Sequence, residues 1–277
     1  IAGQAARSVP AWASTHPDPA SRVRRALDQA RTMNVTNGRT NRDAFMAAVN
    51  NVLYSDDPAQ GVTEGRNFLH PDMRLAFTVP QGFGMANGTA AVAISGTGGQ
   101  GQFATAAFSG DLDAYVRAAY QSVIGTGQNS TTGTTGTTAA APTLSAIRRT
   151  TVNGLPAATA TARATTQSGE VELTIFAYQF AADRAFHFAT VAPVATSTVF
   201  EPMFASVRRM TDAEARAIRP RRINVVTVQR GDTQQSMANR MAYTDYQLQR
   251  FAVLNGLASG AALTPGQKVK IVVYGTR

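Results

Sequence analysis

Cysteine is absent from the 277 residues. Disulfides, thiolate nucleophiles and Cys-ligated zinc are therefore excluded, and redox compartment cannot be read from cysteine usage. Histidine is scarce: His16, His70 and His187 are the only three. No two of them stand at the four-residue helical spacing that lets a pair reach one metal, so no metal site is expected within this chain. No uninterrupted apolar run approaches the roughly 20 residues needed to cross a bilayer, and the chain reads as soluble. It opens at Ile1 without an initiator Met, a basic n-region or an apolar h-region. That pattern fits a fragment or processed product whose targeting signal lies elsewhere.

Other chemistries lack their signatures. There is no GxSxG elbow for a serine hydrolase. The Gly-rich stretch SGTGGQGQ at 95–102 has neither the Lys-Ser/Thr ending of a phosphate loop nor dinucleotide spacing before a helix, so it reads as a hairpin loop. Glu170 and Glu172 alternate along an expected strand and share one face, most simply the solvent face.

What is present is basic, with a formal charge of +9 that suits acidic partners such as envelope polymers or anionic surfaces. Arginines cluster at Arg22, Arg24, Arg25 and at Arg216, Arg219, Arg221, Arg222. No aromatics interleave with them as on a nucleic-acid platform, so solvated faces are expected and no nucleic-acid partner.

The length suggests two or three compact units. Ser21 is placed to cap a helix carrying Val23, Ala26, Leu27 and Ala30, and Asn41 a second carrying Phe45, Met46, Val49, Val52 and Leu53. From Met73 the period changes to two: Leu75, Phe77 and Val79 alternate with Arg74, Ala76 and Thr78, as in a half-buried strand. Strands at 90–95 and 102–109 follow, then a helix capped by Asp111 with Leu112, Tyr115, Val116, Ala119 and Val123 on one face. Residues 125–142 are nearly all Gly, Thr, Ser, Asn and Ala with no apolar period, and read as a flexible loop. Strands at 157–163, 170–180 and 185–191 and a closing helix with Val199, Phe204 and Val207 complete an α+β pattern. Thr211 and Glu214 have capping-box spacing for a short helix that Pro220 stops in an Arg-rich connector. Strand, helix, helix, strand then follow at 225–228, 234–241, 246–254 and 269–273.

That last segment resembles the LysM domain through VVTVQRGDT at 225–233, SMANRM at 236–241, LQRFAVLNGL at 248–257 and LTPGQKVKIVV at 263–273. Gly231 permits a tight turn, Asp232 or Thr233 caps the helix, and Asn255-Gly256 suits a helix end. The resemblance implies a βααβ fold and binding of N-acetylglucosamine-containing glycans such as peptidoglycan in a shallow groove. Carried over, it nominates Gly231, Asp232, Thr233, Asn255, Gly256 and Leu257. Gln234-Gln235 stands where a LysM domain has apolar or aromatic residues for sugar stacking, so glycan binding and structural packing both stay open.

The first hundred residues resemble bacterial CAAX-prenyl-protease-like zinc metallopeptidases, the HExxH gluzincins. The residues concerned are Trp12-Ala13-Ser14-Thr15-His16-Pro17 with Arg22, LYSDDPAQGV at 53–62, and RNFLHPDMRLAFTVPQGFGMANG at 66–88. The resemblance implies that the chain follows a peptidase domain in which zinc sits on an HExxH helix, a motif this chain lacks. It places His16 and Arg22 beside that zinc cleft; alternatively His16 turns the chain at Pro17 and Arg22 pairs with Asp18.

The expected organisation is a helical segment at 1–65 ending a peptidase-like domain, an α+β module at 66–210, a helix and linker at 211–222, and a LysM-like domain at 223–277. The expected function is that of a non-catalytic, periplasmic region of a cell-envelope zinc metallopeptidase. Its partners would be that peptidase domain, peptidoglycan, and unfolded or envelope proteins as substrates. The alternative is a stand-alone glycan-binding or envelope scaffold protein.

Overall fold

The computed structural model describes residues 19–33, 40–128, 142–166, 169–258 and 260–276. The chain divides into two compact units between Ala47 and Ala48. In the first, α1 (Pro19–Thr32) begins two residues before Ser21, with Pro in the first turn where its missing N–H costs no hydrogen bond. Arg22 lies exposed on it, while Val23 and Leu27 are also more than half exposed. His16 and Asp18 lie outside the described residues. Helix α2 (Arg42–Val49) buries Met46 but leaves Phe45 exposed. It stops before Val52 and Leu53, contrary to the expected longer helix.

The second unit holds a sheet of seven antiparallel strands: β4 (Phe83–Asn87), β5 (Ala91–Gly96), β6 (Gly99–Thr105), β7 (Arg148–Val152), β8 (Leu155–Thr166), β9 (Gly169–Ala181) and β10 (Arg184–Pro193). Their order across the sheet is β4-β5-β6-β10-β9-β8-β7. A second sheet, in the order β1-β2-β3-β11, comprises β1 (Val62–Glu64), β2 (Asn67–His70), β3 (Leu75–Thr78) and β11 (Arg208–Arg209). The fold is α+β, as expected.

Alternation along β9 builds two cores from one strand. Phe176, Tyr178 and Phe180 point to an aromatic core shared with Phe68, Phe77, Phe103, Phe186, Phe188 and Phe204. Phe188 is central: its ring lies 5.0 Å from Phe77, 4.8 Å from Phe103 and 5.6 Å from Phe204. Ile175 and Ala177 point the other way, to α3 (Leu112–Gln128). Small residues on that face, Ala158, Ala160, Ala162, Ala185 and Ala189, let the helix approach closely, and Leu112, Tyr115, Val116 and Ala119 fill the gap. Asp111 caps α3 by accepting from Asp113 N at 2.9 Å. The aromatic core is closed by a 3-10 segment at Val194–Phe200 and α4 (Glu201–Ser206).

Several expectations change. Leu75, Ala76 and Phe77 are all buried, so β3 is covered on both faces and is not half-buried. SGTGGQGQ is mostly strand: the turn is Thr97-Gly98, and Gly96 pairs with Gly99. Glycine is needed at 101 because a Cβ there would sit 2.7 Å from Thr190 Cγ2 and 2.8 Å from Ala189 O. Helix α3 runs through Gln128, into the segment read as a loop; residues 129–141 lie outside the described ones. Glu172 is not simply solvated, since its carboxylate accepts from Arg163 Nε across the strand pair at 3.1 Å.

The chain then enters α5 (Asp212–Ala217). Here Thr211 Oγ1 accepts from Glu214 N at 3.2 Å and the Glu214 carboxylate accepts from Thr211 N at 2.8 Å, the expected capping box. Arg208 forks onto the same carboxylate and, with the capping bonds, holds it down at about 2. The Arg-rich connector proves to be strand: β12 (Arg221–Thr227) pairs with β13 (Lys268–Tyr274). On the other edge of β12 lie residues 50–54, which the sequence had suggested were partly helical. Asn51 N donates to Ile223 O (2.7 Å), Ile223 N to Val52 O (2.9 Å) and Tyr54 N to Arg221 O (2.8 Å). Asn50 Oδ1 accepts from Val225 N at 2.9 Å. The two-stranded sheet thus gains a third edge from upstream, which satisfies backbone groups that an open edge leaves free. The C-terminal module is strapped by main-chain bonds to the segment that leads into β1.

Candidate functional site

The C-terminal module adds α6 (Gln234–Ala238) and α7 (Gln247–Asn255) to β12 and β13, giving βααβ. Its core is Val228, Met237, Ala238, Met241, Phe251, Val269, Ile271 and Val272, with Tyr54 of the upstream strap packed against it. One end of the module gathers the turn from β12 into α6 and the loop after α7.

The first of these begins at Gly231, whose φ of +92° favours glycine. Asp232 Oδ2 accepts from Gln229 N at 2.7 Å and pins the turn. Thr233, not Asp232, caps α6: its Oγ1 accepts from Ser236 N at 3.0 Å, and Ser236 Oγ accepts from Thr233 N at 2.9 Å. Gly231 and Thr233 are exposed and Asp232 is half-buried, so the turn offers backbone and short polar groups to a ligand.

The second begins where Gly256, at φ +63°, ends α7. Asn255 faces inward. Its Nδ2 donates to Phe251 O (3.0 Å) and Lys270 O (2.8 Å), and its Oδ1 accepts from Lys270 N (2.7 Å), so the side chain stitches α7 to β13. Leu257 packs against the module core, and Gly256 and Ala258 are exposed. The two segments meet through a residue the sequence flagged only as a departure. Gln234 is buried, and its Nε2 donates to Ala258 O (3.0 Å) and Ala261 O (2.8 Å). Gln235 is exposed and bonds Asn239 on its own helix.

At the other end of the module, Arg221 lies over the Tyr243 ring at 4.9 Å and reaches Glu64 of β1 at 3.3 Å. Arg250 lies over the same ring at 4.3 Å while pairing with Asp245 at 3.1 Å. This end faces the α+β module; the turn at Gly231 and the loop after Gly256 lie at the opposite end of β12 and β13.

The described histidines sit in the α+β module as structural groups. His70, on β2, accepts from Met73 N at 3.3 Å and holds the turn before β3; burial lowers its pKa. His187, on β10, is hydrogen-bonded through Nδ1 to the Tyr115 hydroxyl at 2.9 Å. Burial brings His187 down to about 4 and pushes Tyr115 up to about 12, so the pair is neutral near pH 7. Among the described residues no group of three His, Asp or Glu side chains converges to hold a metal ion, and no helix is long and apolar enough to cross a membrane.

Residues 226–272 match the LysM domain family. No curated protein sequence matches the chain. Among solved structures, one from Bacteroides thetaiotaomicron VPI-5482 is 11% identical, covering 64% of this chain and 57% of its own, with a TM-score of 0.35. This chain therefore spans less than two thirds of that relative. The cyanobacterial PsbP (CyanoP) of Synechocystis sp. PCC 6803 is 9% identical over 54% of this chain and 98% of its own, with a TM-score of 0.38.

Proposed function

We propose that the chain binds peptidoglycan through its C-terminal LysM domain, in the groove between the turn at Gly231 to Thr233 and the loop beginning at Gly256. The observation that carries this reading is the LysM match at 226–272, together with the meeting of those two segments at Gln234. Apart from the inward-facing Asn255 and the core-packed Leu257, the nominated residues lie exposed or half-buried in the two segments that meet there. Bonds from residues 50–54 to β12 support a reading in which the chain upstream is held beside the glycan rather than on a free tether.

In the fuller form of the proposal, this is the non-catalytic region of a periplasmic, envelope-associated zinc metallopeptidase. It would hold a peptidase domain near the cell wall and present unfolded or envelope proteins to it. The resemblance of residues 12–88 to CAAX-prenyl-protease-like enzymes supports that context, and zinc would belong to the peptidase domain. A stand-alone glycan-binding scaffold fits the LysM domain equally well. An HExxH helix encoded upstream of Ile1 separates the two.

Co-sedimentation of the chain with purified peptidoglycan tests the binding step, with Ala258→Trp as control because Ala258 is exposed at the groove. Retention of the unaltered chain and its loss in the variant are expected. Absence of the unaltered chain from the pellet, or equal retention of both, contradicts the proposal.

A further inference from the structure

Gln234 is an anomaly for a core position. It begins a helix, is 7% exposed, and occupies a place where an apolar side chain would pack at no polar cost. Its orientation is fixed by chemistry: only the Nε2 amine can donate to two carbonyls, and both partners, Ala258 O at 3.0 Å and Ala261 O at 2.8 Å, are carbonyls. The Oε1 atom is consequently left buried without a hydrogen-bond partner. An unsatisfied buried acceptor weakens the fold, so packing alone is a poor reason for this side chain. What Gln234 does that no apolar residue can is tie the start of α6 to the loop after α7, and these are the two walls of the proposed groove.

We infer that Gln234 is a positioning residue for glycan binding: its Nε2 fork fixes the spacing of the two groove walls, so that ligand affinity depends on it more than stability does. The inference rests on the glycan reading above. Without the fork, the loop carrying Ala258 and Ala261 must be ordered by the ligand, and the ordering cost appears as lost affinity. The stability side differs. Gln234→Met keeps the length and removes the donor together with the unsatisfied acceptor, two changes of opposite sign.

The test titrates a soluble N-acetylglucosamine oligomer into the unaltered chain, Gln234→Met and Gln234→Glu by calorimetry, with thermal midpoints and amide hydrogen exchange at Ala261 measured alongside. The expected result is a loss of affinity of about tenfold in Gln234→Met, faster exchange at Ala261 and an essentially unchanged midpoint. Gln234→Glu, which turns a carboxylate toward the two carbonyls, is expected to bind more weakly still. If the unaltered chain binds and Gln234→Met binds equally well, the inference is overturned while the glycan reading stands. A fall in midpoint matching the fall in affinity also overturns it, because Gln234 is then a packing residue. If the unaltered chain does not bind, the glycan reading itself fails and takes the inference with it.

Discussion

Acidification should weaken the α+β module through one residue. His187 is 5% exposed on β10, its Nδ1 engaged by the Tyr115 hydroxyl and its ring 5.4 Å from the Tyr115 ring. Tyr115 also donates to Ala185 O at 3.0 Å and accepts from Ala106 N at 3.1 Å, which leaves His187 Nδ1–H as a donor to the hydroxyl, and burial is what disfavours a second proton on the ring. In the unfolded chain His187 gains its proton near 6.5, whereas in the folded chain burial delays this to about 4. Between those values the unfolded state binds more protons, so stability falls as pH drops through that window and levels off below it. At about 1.4 kcal/mol per pH unit the full effect is about 3 kcal/mol, a large share of the 5–15 kcal/mol typical of a domain. Urea unfolding at pH 7.0, 5.5 and 4.0 on the unaltered chain and on His187→Gln measures it. The variant retains a polar side chain but lacks the titration, so the difference in stability between the two proteins should shrink by about 3 kcal/mol from pH 7 to pH 4. His70 and the carboxylates titrate in both proteins and cancel. A difference that stays constant with pH refutes the argument, because His187 would then be accepting its proton within the folded structure.

Three further outcomes follow from the packing. Phe188→Ala empties the centre of the aromatic core and should cost about 3–5 kcal/mol, measured by denaturant midpoint. Asn255→Ala breaks two bonds that join α7 to β13 and one within α7; a loss of about 2–3 kcal/mol is expected, with faster hydrogen exchange at Lys270. Tyr54→Pro removes the Tyr54 N–H to Arg221 O bond and the ring packed on the LysM core, so tryptic cleavage at Arg221 and Arg222 should accelerate. Unchanged cleavage would show that the strap does not hold the module.

The sequence was most legible where structure is local and periodic. The cap at Asp111, the apolar face of α3, the capping box of Thr211 and Glu214, and the βααβ order of the last module all depend on residues within a few positions of one another. It misled where a distant partner decides. Val52 and Leu53 continue a helical apolar pattern, yet the edge of β12 draws them into pairing. Ala76 reads as solvent-facing by alternation but is covered by tertiary packing, and the glycines at 95–102 look like a loop because nothing local shows how closely Thr190 approaches Gly101. For the proposed site, the motif nominated Gly231, Thr233 and Gly256, which lie in the two segments that meet at one end of the module. It did not distinguish the inward role of Asn255 or the clamp made by Gln234. A buried glutamine at a position expected to be apolar was the available signal, and its two acceptors lie more than twenty residues away.

The central claim is that glycan is recognised at the junction of the two groove walls. Backbone amide shifts recorded by NMR during titration with an N-acetylglucosamine oligomer test it most directly. Saturable shifts confined to 229–234 and 255–261, with the amides of 62–210 undisturbed, are the expected result; a spectrum unchanged at millimolar oligomer, or shifts confined to the seven-stranded sheet, would contradict it.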